Sequence, residues 1–473
     1  MKKIITNPCF LLPTLAIIFR FWSFFPSVID HDESTYLIIA RDLSQGSIYL
    51  KDVIDTKPIG IFWIYQLLGL LSFGSIGITR LFASVLIGIT AIFIFKFILK
   101  STQKHDASWF GSISYIFLVS IFKNWGVSPN TEIYFNLFNL VAIYLVLFNK
   151  SKHIEIIAGL LLGFAFITKY VALAEAGVIG SFLIIQALFQ NNLNRQLIFK
   201  LIKLILGFTL PISMMLAYFY YYKLLDKFYY FNFDVLSRYP SEITLSNSLL
   251  FVGDFCGRYF IWILLAIAGF KHLRNRRDCL SILFYIWVLF DLIIILLPGK
   301  GFSHYFIQAM IPISILSGIG SIELYKTKLF INNKRILSYT CIVILPLILY
   351  FQKLSYSNRN TDITELYSYL KKELKPGEQI YTGNSAHILY YLLKLKSPSP
   401  YIHSSLLWNP EHIDALQVDL NEEADHILKQ NPRFIIIKEP VKDSSMLVKF
   451  LKTYTEIKQI DKKIHVLVCN QLF

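Results

Sequence analysis

The chain has 473 residues, of which 55% are hydrophobic and 16% charged. Soluble domains carry about 25% charged residues, so the composition argues against a soluble protein and predicts a polytopic membrane protein. The formal net charge of +15 would fit a nucleic-acid partner, but the Lys and Arg residues stand in short clusters between apolar segments and no nucleic-acid recognition motif accompanies them. We therefore expect a membrane and no nucleic acid as partner.

The N-terminal segment predicts a retained membrane span. Lys2 and Lys3 precede an apolar stretch, as in a signal peptide, but Arg20 interrupts the stretch and no small-residue cleavage motif follows it. A spanning helix needs about 20 mostly apolar residues, and this criterion predicts about 11 spans. They lie near residues 9–29, 76–99, 107–123, 132–149, 154–169, 171–190, 197–222, 257–271, 279–297, 305–323 and 336–352.

Charge gives the expected orientation of these spans. With the N-terminus inside, the inner connections carry more Lys and Arg than the outer ones, as the positive-inside rule requires. The segment 59–73 is apolar but short and follows Pro58, so we expect a helix that lies at the outer interface or dips into the membrane, rather than a span. An odd number of spans then leaves the C-terminus outside.

The first outer loop, residues 30–75, is the most informative stretch. It contains Asp30-His31-Asp32-Glu33 and, some twenty residues later, Asp55-Thr56-Lys57. Carboxylates at a membrane surface are poorly hydrated, so such a cluster is a candidate functional site. The alternative is structural: Asp32 caps the helix that follows it, and Lys57 extends toward water.

Further polar residues are predicted at the same outer face. A cavity with carboxylates at one edge and cations at another suits a phosphate leaving group and a hydroxyl nucleophile. No nucleotide-binding loop occurs, so the activated donor would be a lipid phosphate. Lys169 as a helix-end lysine and His304 as a packed side chain are the structural alternatives. The residues are Asn130, Glu132, Lys169, Tyr170, Lys300, His304 and Tyr305.

The tail has a different pattern from the apolar segments. Helical spacing over 363–374 is followed by a short strand at 379–383, helices at 387–394 and 411–430, and strands at 433–438 and 464–469. This alternation predicts a small α/β domain. We therefore expect a transmembrane catalytic domain over 1–352 and an extracytoplasmic domain over 353–473.

Three motifs lie within the first 110 residues, and two weaker ones occur later. The weaker ones are Gly159-Leu160-Leu161-Leu162-Gly163 through Thr168-Lys169, and His304-Tyr305-Phe306 through Pro312. The three stronger motifs are Asp32-Glu33-Ser34-Thr35-Tyr36, Lys57-Pro58-Ile59-Gly60-Ile61-Phe62-Trp63 and Gly77-Ile78-Thr79-Arg80-Leu81.

With these motifs the chain resembles membrane glycosyltransferases of the GT-C fold, in particular the branch of lipid A aminoarabinose transferases and protein O-mannosyltransferases. The resemblance implies transfer of a sugar from a polyprenyl-phosphate carrier of the undecaprenyl type to a lipid, protein or glycan, at the outer face of the inner membrane. It implies a multi-pass, mainly α-helical protein.

The resemblance also suggests roles for individual residues. Asp32 matches the catalytic aspartate, with Glu33 beside it, and Lys57 matches the lysine that holds the donor phosphate. Lys169, His304 and Tyr305 share that phosphate-binding task. Glu33 and Asp55 are the candidate ligands of a divalent metal, although the aminoarabinose transferases carry a glutamate immediately before the lysine, where this chain has Thr56.

Two other functions compete with glycosyl transfer. One is transport or flipping of a lipid-linked glycan, but transporters bind near the membrane midplane and often show paired halves, and no internal repeat is visible here. The other is a non-catalytic role in assembly of an envelope polymer, which predicts that alanine at Asp32 and Lys57 has no effect.

Overall fold

The computed structural model describes residues 7–121, 127–191, 193–238, 244–276, 279–297, 302–326, 344–356, 359–439, 444–461 and 463–470. The chain is mainly helical and has one small sheet. It divides into two compact units, which we call the helical unit and the mixed unit. The helical unit comprises Met1–Phe24, Gly77–Leu216 and Ser241–Leu354, and the mixed unit comprises Phe25–Ile76, Ala217–Pro240 and Ser355–Phe473.

Long apolar helices build the helical unit. Most described residues of the predicted apolar segments are helical, but residues 25–29, at the end of the first predicted span, are not. Short 3-10 turns occupy Phe21–Phe24, Tyr170–Ala172 and Ser303–Tyr305. The helices are Pro8–Arg20, Ile76–Thr102, His105–Ile121, Thr131–Phe148, Ile154–Thr168, Leu173–Phe189, Arg195–Tyr221 (the last residues of which belong to the mixed unit), Leu245–Arg258, Phe260–Asn275, Leu280–Leu296, Phe306–Tyr325 and residues 344–356.

The described helices differ in whether they are long and apolar enough to span a membrane. Among the described residues, five helices are long and apolar enough to cross a membrane, and up to six if a helix pair bent by 91° is one span. Four other apolar helices have 10–17 residues. The expectation of about 11 spans therefore stays a prediction.

The bent pair corrects one predicted boundary. The span expected at 257–271 is preceded by a further helix, Leu245–Arg258, which begins at Thr244, where the side chain of Thr244 accepts the Asn247 N–H at 3.3 Å. The connection between the spans expected at 197–222 and 257–271 is therefore partly helical. Phe255 on this helix stacks on Phe306 with ring centroids 4.0 Å apart, which fixes the helix inside the unit.

Buried polar groups and glycines show how the helical unit packs. The Arg20 guanidinium, which interrupts the first apolar segment, donates to the Val127 carbonyl at 2.6 Å and to Ser84 Oγ at 3.2 Å. Gly269 and Gly320 lie at the crossing of Phe260–Asn275 with Phe306–Tyr325, where an added Cβ on either glycine would overlap the backbone of the facing helix. Small residues of this kind permit direct backbone contact between membrane helices.

The mixed unit contains the first loop and the tail. Its strands are β1 (Ile380–Thr382), β2 (Phe434–Lys438), β3 (Tyr454–Ile460) and β4 (Ile464–Cys469), in the order β1-β2-β4-β3. β1 pairs with β2 in parallel, and the other pairs are antiparallel. The helices are His31–Ser44, Gly60–Leu71, Leu225–Tyr229, Val235–Arg238, Thr361–Glu373, Ile388–Leu392, Pro410–Leu416, Leu420–Lys429 and Ser445–Phe450, with a π-helical turn at Tyr230–Asp234.

Two features of the tail differ from expectation. The helix predicted over 411–430 is two helices, because Gln417 adopts φ +50° at the end of the first and the Asp419 carboxylate accepts N–H bonds from Asn421 and Glu422 at the start of the second. β3 was not predicted, since the middle of this edge strand is polar and mostly exposed.

Two helices begin within the first loop, at His31 and at Gly60. His31–Ser44 is capped by Asp30, whose carboxylate accepts the Asp32 N–H at 3.2 Å. The capping role considered for Asp32 therefore belongs to Asp30. Gly60–Leu71 has 12 residues, which is too short to cross a bilayer, and its position at the outer interface stays a prediction.

Candidate active site

The structure brings Asp32 and Lys57 together in the mixed unit. Asp32 lies in the first turn of His31–Ser44, and Lys57 precedes the proline that opens the next helix. The Lys57 ammonium donates to Asp32 Oδ1 at 2.8 Å and lies 3.6 Å from Asp55 Oδ2. The Tyr36 ring lies beneath the ammonium, 5.5 Å from its nitrogen. One lysine is thus shared by two carboxylates.

The loop that carries Asp55 and Lys57 is fixed by its backbone. The Tyr49 hydroxyl lies 2.6 Å from the Lys57 carbonyl oxygen and 2.8 Å from the Asp55 carbonyl oxygen. Tyr49 itself is fully buried. The lysine is therefore presented from a rigid turn, which is the preorganisation that a catalytic group needs.

A third member of the cluster, His403, was not predicted from the sequence. Its Nε2 lies 3.3 Å from Asp32 Oδ1. Its Nδ1 accepts the Ser405 backbone N–H at 3.2 Å, so the ring proton belongs on Nε2 and is donated to Asp32. Ser405 Oγ lies 2.7 Å from the same Nδ1 and 2.9 Å from His412 Nδ1. The tail thus supplies a hydrogen bond to the first-loop aspartate.

These contacts set the ionisation of Asp32 and Lys57. Burial alone would raise the pKa of Asp32, but the Lys57 ammonium and the His403 hydrogen bond together hold that pKa well below its usual value. Burial would lower the pKa of Lys57, but Asp32 and Asp55 raise it above its usual value. Asp32 is therefore an anion and Lys57 a cation throughout the physiological pH range.

A second polar cluster lies in the helical unit. Lys169, at the C-terminus of Ile154–Thr168, forms an ion pair with Glu132 in the first turn of Thr131–Phe148. Lys169 Nζ lies 4.6 Å from the centre of the Tyr305 ring, and His304 Nε2 lies 3.9 Å from Glu132 Oε1. Two of the four predicted phosphate ligands, Lys169 and His304, therefore lie against Glu132, and a third, Tyr305, lies against Lys169. Glu132 itself was expected only among the polar residues of the outer face. Lys300 lies outside the described residues.

No family model and no curated protein matches the sequence. Several solved structures, however, match the fold of this chain. ArnT from Cupriavidus metallidurans, bound to undecaprenyl phosphate, superposes with a TM-score of 0.68 at 13% identity over 97% of each chain, and its apo form gives the same values. The oligosaccharyltransferase AglB from Archaeoglobus fulgidus, in complex with an inhibitory peptide and dolichol phosphate, gives 0.52 at 10% identity over 91% of this chain and 69% of that one.

The chain has the GT-C fold. The resemblance drawn from the first-loop motifs is confirmed at the level of the fold, and ArnT and AglB are both membrane glycosyltransferases of that fold. At these identities the neighbours do not assign roles to residues. The roles of Asp32, Glu33, Lys57, Lys169, His304 and Tyr305 therefore stay predictions.

Glu33 and Asp55 are the acidic residues of the first loop that were predicted to bind a divalent metal. Glu33 is buried, with 1% of its surface exposed, and it lies one helical step of about 100° away from Asp32. Asp55 Oδ2 has no hydrogen-bond partner among the described residues and lies 3.6 Å from the Lys57 ammonium. Within those residues, no group of three or more His, Cys, Asp or Glu side chains is placed to hold a metal ion. AglB has been crystallised with Zn, but metal binding by Glu33 and Asp55 stays a prediction here.

Proposed function

We propose that this GT-C protein is a glycosyltransferase of the inner membrane. It transfers a sugar from a polyprenyl-phosphate donor, of the undecaprenyl-phosphate type, to a lipid, protein or glycan acceptor at the outer face. One observation carries the proposal: Asp32 is held ionised between Lys57 and His403 in a chain that has the fold of ArnT, which binds undecaprenyl phosphate.

In the proposed reaction the acceptor hydroxyl donates its hydrogen bond to the Asp32 carboxylate. The acceptor oxygen forms a bond to the anomeric carbon of the donor sugar while the bond from that carbon to the phosphate oxygen breaks. The acceptor proton passes to Asp32, and the released polyprenyl phosphate gains one negative charge. Attack opposite the leaving group inverts the anomeric centre.

Lys57 is suited to offset the charge of the leaving phosphate. Its ammonium is already shared by Asp32 and Asp55, so an incoming phosphate competes with both carboxylates for it. As the ammonium shifts toward phosphate, Asp32 loses part of its stabilisation and becomes more basic. Donor binding thereby prepares the base, and an aspartate that is a weak base in the free enzyme becomes a stronger one in the complex.

Lys169, His304 and Tyr305 are proposed to hold the donor phosphate as well. The Lys169 ammonium is paired with Glu132 and faces the Tyr305 ring. A phosphate that binds Lys169 must compete with the Glu132 carboxylate. In this proposal the donor phosphate displaces a carboxylate from Lys57 and from Lys169 alike.

Replacing Asp32 with Asn tests the proposal. Asp32→Asn keeps the size and the hydrogen-bonding oxygen but removes the charge, and we expect a loss of transfer of about 10²–10⁴-fold with normal expression and donor binding. The matched control is Asp52→Asn in the same loop, where the Asp52 carboxylate accepts the Ile48 N–H at 2.7 Å, a bond that Asn retains. Full transfer by Asp32→Asn, measured with membrane-reconstituted protein and a radiolabelled polyprenyl-phosphate sugar, would refute the assignment.

The same preparation tests the alternative of transport. Proteoliposomes that move a lipid-linked glycan between leaflets without forming a glycosidic bond would identify a flippase. Transfer to an acceptor that depends on Asp32, without net translocation, identifies the transferase.

A further inference from the structure

A polar cavity of about 140 Å³ lies in the mixed unit at the start of Thr361–Glu373. Its charged and polar lining includes Arg359, Asp362, Ser385, His387 and Lys438. Pockets for whole drug-sized ligands measure about 300–1,000 Å³. This cavity therefore has room for one small polar group of about the size of a monosaccharide and its substituent, rather than for a whole lipid or polymer.

Two buried atoms of the lining have no hydrogen-bond partner within the described chain. They are His387 Nδ1 and Ser385 Oγ, on residues that are 1% and 7% exposed. His387 Nε2 lies 3.0 Å from the His31 carbonyl oxygen, which can only accept, so the ring proton belongs on Nε2. Burial, with His403 and His31 nearby, holds the pKa of His387 well below its usual value. Nδ1 is therefore an unprotonated acceptor on a residue that lines the cavity.

Buried polar atoms are costly to leave unsatisfied. The acceptor on His387 calls for a hydroxyl or amide donor from a ligand, and Ser385 can donate or accept. A purely apolar ligand would satisfy neither atom. A hydroxylated ligand satisfies both.

The charged residues of the lining favour an anion. Arg359 donates one of its guanidinium N–H groups to the Ile29 carbonyl at 2.7 Å and has others to offer. Lys438 Nζ lies 3.9 Å from Asp362 Oδ2, which is beyond hydrogen-bonding distance. Two cations thus line the cavity against one carboxylate, and that carboxylate can accept a further ligand hydroxyl.

The cavity adjoins the candidate active site. The His387 ring centroid lies 5.7 Å from that of His403, and His403 contacts Asp32. Two imidazole rings therefore connect the cavity lining to the proposed base.

From these contacts we infer that the cavity binds a hydroxylated anionic group of the acceptor: a sugar ring that carries a phosphate or carboxylate. Arg359 and Lys438 hold the anion. His387 Nδ1 accepts a hydrogen bond from one ring hydroxyl, and the Ser385 hydroxyl donates to or accepts from another. The inference rests on the proposed function, because the group bound here is taken to be part of the acceptor.

Binding of glucose 1-phosphate to the full-length protein in detergent tests the inference, with glucose and inorganic phosphate as partial probes, measured by isothermal titration calorimetry. We expect glucose 1-phosphate to bind more tightly than either partial probe. Lys438→Gln should weaken its binding about tenfold, the usual size for one charge-assisted hydrogen bond. Lys452→Gln removes an exposed lysine that is not part of the lining and should leave the affinity unchanged.

His387→Gln separates the two parts of the ligand. The glutamine amide reaches the Nε2 position and keeps a donor toward the His31 carbonyl, but it removes the Nδ1 acceptor. We expect weaker binding of glucose 1-phosphate and unchanged binding of inorganic phosphate, which needs only the cations. Arg359→Lys keeps the positive charge of the cavity lining and serves as the control for loss of binding through misfolding.

A second arm identifies the source of the group. Nanodiscs of phosphatidylcholine with added phosphatidylinositol present a phosphorylated ring as a lipid headgroup, and competition with glucose 1-phosphate indicates a lipid acceptor. Absence of competition, with glucose 1-phosphate still bound, indicates a soluble or polymer-borne sugar. Both results support the cavity as the site.

The proposal is overturned if glucose 1-phosphate does not bind at millimolar concentration, or if Lys438→Gln and His387→Gln bind it as tightly as Lys452→Gln. No donor and no transfer are needed in this measurement. A negative result therefore leaves glycosyl transfer standing, and a failure to detect transfer leaves the binding result standing.

Discussion

Each unit of the molecule holds a lysine against a carboxylate with a histidine nearby, but the two clusters differ in charge balance. In the mixed unit Lys57 faces two carboxylates, Asp32 and Asp55. In the helical unit Lys169 forms its ion pair with Glu132. The first cluster therefore carries an excess negative charge that can accept a proton, whereas the second is neutral as an ion pair.

The clusters also differ in exposure of the carboxylate. The Asp32 side chain is 21% exposed, whereas that of Glu132 is 1% exposed. A partly exposed carboxylate can meet an acceptor hydroxyl, whereas the buried Glu132 carboxylate is already occupied by Lys169 and by the Thr131 hydroxyl. The comparison teaches that similar residue types can favour different roles. In the mixed unit they favour a proton acceptor, and in the helical unit they favour a lysine that stays paired with Glu132 until a phosphate competes for it.

After Asp32→Asn, the largest expected effect is that of Lys57→Met. It leaves Asp32 and Asp55 without their common cation, and we expect transfer to fall by about 10²–10³-fold, as for loss of a preorganised charge stabiliser. The unfolding free energy should fall by about 1–3 kcal/mol, less than for a fully buried pair because both side chains are about a quarter exposed. Lys51→Met, at an exposed lysine of the same loop, is the control. An unchanged turnover number in Lys57→Met would contradict the role in charge neutralisation.

Lys169→Met should have a smaller effect on transfer, about 10–100-fold, the range for one hydrogen bond to a charged group. It also leaves the Glu132 carboxylate buried and unpaired, so we expect a loss of about 3 kcal/mol in unfolding free energy. The double variant Lys169→Met with Glu132→Gln removes the unpaired charge and should recover most of that stability. Recovery of full transfer in the double variant would show that Lys169 acts only in folding.

His403 sharpens the description of the mixed-unit cluster. His403→Leu removes the hydrogen bond to Asp32, and we expect about a tenfold loss of kcat/KM with the acid limb of the pH profile moved upward, because the pKa of Asp32 rises. His403→Gln keeps a donor at the Nε2 position and should behave nearly as the wild type. Equal profiles for the Leu and Gln variants would exclude a contribution through Asp32.

The smallest expected effect is that of pH on the folding stability that Asp32 contributes. Because the native pKa of Asp32 lies below its unfolded value of about 3.9, the stability it contributes is present above that value and is lost as the pH falls through the native pKa. The difference in unfolding temperature between wild type and Asp32→Asn should therefore stay constant from about pH 8 to about pH 5 and shrink only in stronger acid. A change within that neutral window would mean that Lys57 and His403 do not hold Asp32 ionised.

The sequence predicted most helices because apolar stretches of sufficient length leave few alternatives. Which of them cross the membrane stays a prediction, since helices such as Ile154–Thr168 and Leu280–Leu296 are apolar but have 15 and 17 residues. The edge strand Tyr454–Ile460 was missed because its exposed residues are polar. Local composition carries no signal for such a strand, which depends on pairing with its neighbour.

For the site, the first-loop motifs pointed to Asp32 and Lys57, and the structure brings these residues together. His403 could not be found in the same way, because it lies more than 300 residues further along the chain in a turn without periodicity. A weak signal did exist: His403, Ser405 and His412 are polar residues spaced closely in and just after a loop of the tail. Only the fold shows that the loop reaches the aspartate.

The backbone contact of Gly269 with Gly320 limits how the helical unit can move. Phe306–Tyr325, which begins directly after His304 and Tyr305, has 89% of its apolar stretch buried, and it can neither slide nor rotate past Phe260–Asn275 without steric overlap. The corresponding stretch of Arg195–Tyr221 is only 17% buried. Gly207 of that helix makes the same kind of backbone contact with Ile154–Thr168. Glycine crossings therefore hold both the helix that ends before Lys169 and the helix that follows Tyr305 in register with their neighbours.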